Sequence, residues 1–152
     1  MKTLSRQSDK AEILARLRAL RPDSVRRWGR MSAHQMVCHL ADWSRMVLGQ
    51  KPVGARSGLL QRTALKCFVL YVPVPWPHGI LTSAEIDQER GGTRPIDFAA
   101  ELAQAEALLD VVTAPGRSLD RPPHPVFGPM SDAEWLRLGY LHTDHHLRQF
   151  GV

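Results

Sequence analysis

The sequence predicts an all-α protein: a helical bundle of about four main helices, forming one domain over residues 1–152. Three observations predict it. Apolar residues recur at helical spacing in most of the chain, Ser/Thr capping boxes stand before the apolar runs, and no stretch sustains the period-two alternation of a half-buried strand. At 152 residues, with 43% hydrophobic and 23% charged residues, the chain has the size and composition of one globular core.

The first helix is read over Lys10 to Arg21, where Ile13, Leu14, Leu17 and Leu20 form one apolar stripe. Ser32-Ala-His-Gln35 is a capping box, with Met31 and Met36 placed as its hydrophobic staple. It opens a second helix marked by Met36, Leu40, Trp43 and Val47 that should stop near Gly49. A third apolar segment, Leu59 to Val72, is read as helical and ends against Pro73-Val-Pro-Trp-Pro77, where missing donors and fixed φ prevent continuation.

Thr82-Ser-Ala-Glu85 leads into a polar run and predicts only an extra short helical segment. Pro95 and Asp97 start the fourth main helix, whose inward face is Phe98, Leu102, Ala105, Leu109 and Val112, and Pro115-Gly116 ends it. The Pro/Gly-rich segment 116–129 is read as an ordered surface loop. Ser131-Asp-Ala-Glu134 caps the final helix, which runs to about Phe150 with Met130 and Trp135 as its staple.

The longest apolar stretch, Cys67 to Trp76, is shorter than the roughly 20 residues of a bilayer span and is broken by prolines. The N-terminus lacks the apolar region of a secretory signal, so a cytoplasmic location is expected, with no membrane partner. Cys38 and Cys67 match no metal or redox motif and are expected to be buried, reduced thiols. The formal charge is +5, and its excess lies in residues 1–30. That is a solvated helix face and loop without interleaved aromatics, so nucleic acid is not expected as a partner.

The chemistry lies in the histidines. His142 and His146 are four residues apart on one helix, so they lie about 40° from each other on one face, the face of Trp135, Leu138, Gln149 and Phe150. His39 falls about 60° from the centre of the second helix's stripe, while His34 lies on the opposite side. His145 borders the inward stripe of the last helix and Asp144 lies away from it. One histidine from the second helix and two from the last can therefore converge in the core as three neutral nitrogen ligands. They would leave a coordination position open, as catalytic metal sites do. Asp42 and Gln149 are candidates to orient the imidazoles.

Two stretches, Trp28-Gly-Arg-Met-Ser-Ala-His-Gln-Met-Val-Cys-His-Leu-Ala-Asp42 and His124-Pro-Val-Phe-Gly-Pro-Met-Ser-Asp-Ala-Glu-Trp135 through His142-Thr-Asp-His-His-Leu-Arg-Gln-Phe-Gly151, resemble the DinB-like superfamily of metal-dependent four-helix-bundle proteins. The likeness is to an uncharacterised branch and extends over essentially the whole chain. It implies a DinB-like bundle with a divalent metal, Zn or Ni, on His39, His142 and His146. It also implies an enzyme, a thiol transferase or hydrolase, that activates a low-molecular-weight thiol or water toward a small electrophilic substrate, and a homodimer. No catalytic residue is assigned. The chain departs from characterised relatives in its His-Thr-Asp-His-His cluster, which offers no glutamate. The alternative is a non-catalytic binding or dimerisation module with structural core histidines. His124 and Phe127 are read as a structural turn packing Phe127 on the bundle, Arg148 as a helix-end cation complementing the macrodipole, and Cys38 as pointing away from the site.

Overall fold

A computed structural model describes residues 1–56, 58–114 and 121–152. The described residues form five α-helices and no strand: α1 (Gln7–Arg18), α2 (Ala33–Val47), α3 (Lys66–Tyr71), α4 (Phe98–Val112) and α5 (Asp132–Gln149). A π-helical turn, Gln61–Leu65, leads into α3, and a 3₁₀ turn, Ala84–Ile86, precedes α4. The most extensive helix pairing is α2 with α4. α1 packs on α5, and α1–α4 and α2–α5 contacts join the two pairs.

α1 begins and ends earlier than its apolar stripe suggests. Buried Asp9, in the first turn, accepts the Thr3 amide at 3.0 Å and so anchors the start. At the other end, Ala19 and Leu20 bond back to the Arg16 and Leu17 carbonyls before Pro22. Ile13, Leu17 and Leu20 are buried as expected.

Both principal capping boxes form. Ser32 Oγ accepts the Gln35 amide at 3.1 Å while Gln35 Oε1 accepts the Ser32 amide at 2.8 Å. At α5, Ser131 Oγ accepts the Glu134 amide at 3.2 Å, and Glu134 Oε2 accepts the Ser131 amide at 2.8 Å. Asp97 caps α4 through the Ala100 amide.

α2 is buried around nearly its whole circumference, with Cys38, Asp42 and Ser44 as inaccessible as Met36, Trp43 and Val47. Such a helix is central, and polar groups on every side of it must find partners within the protein. Opposite it, Gly139 interrupts α5 at a site where a Cβ would lie 2.8 Å from both Leu4 Cδ1 and Trp43 Cη2. A mid-helix glycine costs about 1 kcal/mol against alanine; here it admits the Trp43 ring against the α5 backbone, one turn before His142.

The third apolar segment is helical and stops before Pro73, but it adds little to the core. Leu70 is buried, whereas Leu59 is 81% and Phe68 51% exposed. Helical periodicity identified the helix but carries no information about what its apolar face meets. Pro115 and Gly116, expected to end α4, lie outside the described residues, as does the first part of the loop 116–129.

Four of the nine basic residues in the first thirty pair with carboxylates across the fold. Lys10 meets Asp110 at 2.7 Å, Arg16 meets Asp144 at 2.7 Å, Arg18 meets Glu106 at 2.7 Å, and Arg30 pairs with Asp87 and Glu89. Among the described residues, no helix is long and apolar enough to cross a membrane.

Candidate metal centre

α2 and α5 bring His39, His142 and His146 together. The ring centroids are 5.1 Å apart for His39 and His142, 4.8 Å for His39 and His146, and 4.7 Å for His142 and His146. One ligand atom from each ring lies within 4.8 Å of the others, so the group can hold a metal ion. His39 and His146 are buried and His142 is half-buried.

The hydrogen bonds decide which nitrogens are free. His39 Nδ1 is 2.8 Å from the Ile86 carbonyl, an acceptor, so Nδ1 carries the proton and Nε2 keeps its lone pair. His146 Nδ1 is 3.2 Å from Gln149 Oε1, and Gln149 Nε2 donates to the Trp28 carbonyl at 2.8 Å. The amide is thus locked with its oxygen toward His146, which also carries its proton on Nδ1. Two of the three rings are held by outer acceptors with a bare nitrogen available, as in metal sites. His142 Nε2 lies 3.1 Å from His39 Nε2, and His142 Nδ1 is buried without a hydrogen-bond partner.

Burial holds His39 below the ordinary imidazole pKa, and burial together with the neighbouring histidines holds His142 and His146 well below it. All three rings are therefore neutral at pH 7, the form that ligates. His39 and His146 each keep a bare Nε2, and His142 can offer its own once its ring proton moves to Nδ1. The donor set thus fits a borderline ion.

Aromatic rings surround the cluster. Trp43 stacks on His142 at 5.3 Å. His145, at the edge of the inward stripe, is half-buried, 5.4 Å from His146 and beside Trp76 at 5.8 Å and Trp28 at 6.2 Å. His78 stacks on Trp28 at 4.1 Å, so the segment after α3 roofs this side of the cluster. The turn below is shaped around Gln149: Gly29 has φ +77°, and a Cβ there would collide with Gln149 Nε2. The Trp28-Gly29 turn, the Gln149 amide and the His146 ring thus form one chain of contacts.

Asp42 does not orient an imidazole. It is fully buried and accepts from Arg45, Lys51, Gln88, and both the amide and hydroxyl of Thr93 at 2.7–3.2 Å. Burial alone would raise its pKa, but the Thr93 and Lys51 hydrogen bonds outweigh burial and lower it. The acceptor for His39 is instead a main-chain carbonyl, that of Ile86, on the segment that Asp42 ties down through Gln88 and Thr93. No residue type announces such an acceptor.

The cysteines differ from expectation in one respect: Cys38 is buried but Cys67 is exposed, on the apolar face that α3 leaves uncovered. Cys38 faces α4, away from the three histidines, and burial with the Glu101 hydrogen bond pushes its thiol up to about 12. His124 builds a turn: its Nδ1 accepts the Val126 and Phe127 amides, both at 3.1 Å, and its ring stacks on buried Phe127. Arg148 is exposed at the end of α5 and pairs with Asp144 at 3.1 Å.

No curated protein and no solved structure matches the chain. Residues 3–151 match the family described as "Protein of unknown function (DUF1569)". With that match spanning nearly its whole length, the chain belongs to the DUF1569 family.

Proposed function

We propose that the protein is a metal-dependent enzyme of the DinB-like type, with α1, α2, α4 and α5 as its four-helix bundle and His39, His142 and His146 as ligands of one divalent ion, Zn²⁺ or Ni²⁺. The observation that carries this reading is the pair of locked tautomers. The Ile86 carbonyl and the Gln149 amide each hold a ring so that its bare nitrogen is free for an ion. The ion would supply Lewis acidity that makes a thiol or a water nucleophilic near neutral pH.

The protein's own part is positional and electrostatic. As neutral donors, His39, His142 and His146 would leave the charge of a bound divalent ion uncompensated, which would favour an anionic reactant beside it. Trp28, Trp76 and His145 limit solvent on the His146 side, where low polarity strengthens that attraction. The substrate class is a small electrophile attacked by the activated thiol or water.

The burial of His39 and His146 favours a second reading, a non-catalytic module with packed structural histidines. Elemental analysis of protein purified without a histidine tag separates the two. A zinc or nickel equivalent that is lost on His142→Ala supports the enzyme, whereas a divalent-ion content at micromolar concentrations that His142→Ala leaves unchanged overturns it.

A further inference from the structure

We propose that His34, Cys38 and Glu101 form a second metal site, between α2 and α4, that takes a thiophilic divalent ion such as Zn²⁺. His34 and Cys38 are four residues apart on α2, one turn from each other on the face turned to α4, and Glu101 stands opposite in the first turn of α4. Each offers one ligand atom, and the three atoms lie within 4.8 Å of one another.

The hydrogen bonds already have the form of a ligand set. Cys38 Sγ donates to Glu101 Oε2 at 3.2 Å, and His34 Nε2 bonds the same oxygen. Two hydrogens thus point at one carboxylate oxygen, an arrangement that a single divalent cation can replace. The other oxygen, Oε1, accepts the Ile96 amide at 3.0 Å, which fixes the carboxylate with Oε2 toward the cluster. Phe98 meets His34 edge-on at 5.5 Å and restricts its ring. The side chains of His34 and Glu101 are 21% and 14% exposed, so solvent reaches one side and can complete a tetrahedron.

Binding balances in protons and in charge. The metal–sulfur bond forms as the Cys38 S–H bond breaks and its proton leaves to solvent. His34 binds through a neutral nitrogen, with its ring proton on the other, and no electron is transferred. One thiolate and one carboxylate then cancel the charge of the ion, so the site can be closed within the helix interface at low electrostatic cost. Cys38 and His39 are adjacent in sequence yet face opposite partners, so α2 would carry a charge-balanced site on one side and the three-histidine group on the other.

Cobalt is the discriminating probe, because a thiolate ligand adds a sulfur-to-cobalt charge-transfer absorption in the near ultraviolet that three imidazoles cannot produce. Metal-free protein without a tag, titrated with Co²⁺, should develop this band. Cys38→Ser should abolish it, while Cys67→Ser and His142→Ala should retain it. Glu101→Gln and His34→Asn should weaken the cobalt affinity read from the band by more than about tenfold. Glu101→Gln tests the site even where Cys38→Ser loses its helicity by circular dichroism. Absence of the band from the wild type, or its loss in Cys67→Ser but not in Cys38→Ser, overturns the site. Because His142→Ala removes only the three-histidine group, failure of one site is distinguishable from failure of the other.

Discussion

Nε2 of His39 and Nε2 of His142 stand 3.1 Å apart, and since His39 gives its ring hydrogen to the Ile86 carbonyl, the proton between them belongs to His142. An ion that takes both nitrogens must move that proton to His142 Nδ1. Nitrogen-15 spectra of the imidazoles should therefore show His142 changing tautomer when zinc is added to metal-free protein, while His39 and His146 keep theirs. A His142 ring that stays protonated on Nε2 with zinc bound would remove it from the ligand set.

Ser131 caps α5 from an exposed position, so its role can be separated from the histidines. Ser131→Ala should lower stability by about 1 kcal/mol in urea denaturation. Zinc affinity should be unchanged. A loss of affinity along with stability would mean that the cap also sets the histidine geometry.

Gln149 should matter more to metal than to folding. Gln149→Leu keeps the volume but removes the acceptor that holds His146, and is expected to weaken zinc binding by about ten- to a hundredfold. Gly29→Ala should act in the same direction, because its Cβ displaces the Gln149 amide and its φ of +77° disfavours a side chain. Full zinc affinity in Gln149→Leu would show that packing alone orients the ring.

How much of this could be read from the sequence follows from what kind of signal each feature leaves. Capping boxes at Ser32 and Ser131 are local, and helical geometry alone brings His142 and His146 to one face, so α2, α5 and the three-histidine group were legible. Asp42 was not, because its partners Lys51, Gln88 and Thr93 sit in polar segments without periodicity, up to 51 residues away. The pairing of Cys38 and His34 with Glu101 was hidden for a related reason. A search for one apolar stripe treats the other side of α2 as outward, whereas α4 covers it.

The pH dependence of stability has a definite sign. Burial lowers the His124 pKa from 6.5 to about 4 in the fold. Between those values the unfolded chain binds a proton that the folded one refuses, so this contribution is whole above about pH 6.5 and is lost as pH falls toward 4. His124 alone should cost about 2 kcal/mol between about pH 8 and pH 5. His39, His142 and His146 act in the same direction. His124→Asn, whose carbonyl can still accept the Val126 and Phe127 amides, should flatten the acid limb measured by urea denaturation in chelator. An unchanged slope would contradict the burial of this imidazole.

Asp42 should prove to be a positioning residue as well as a structural one. Its carboxylate neutralises Arg45 and Lys51 and holds Gln88 and Thr93, fastening the segment whose Ile86 carbonyl orients His39. Asp42→Asn leaves both cations without their buried partner and should cost about 3 kcal/mol. That loss alone would fit any buried ion pair. The distinguishing measurement is zinc affinity well below the unfolding temperature, where the variant is fully folded. Released from Asp42, the Ile86 carbonyl no longer fixes His39 as the Nδ1–H tautomer, so affinity should fall by about tenfold even in the folded state. A variant that loses stability but binds zinc as tightly as the wild type would show that the 86–93 segment holds the Ile86 carbonyl without help from Asp42.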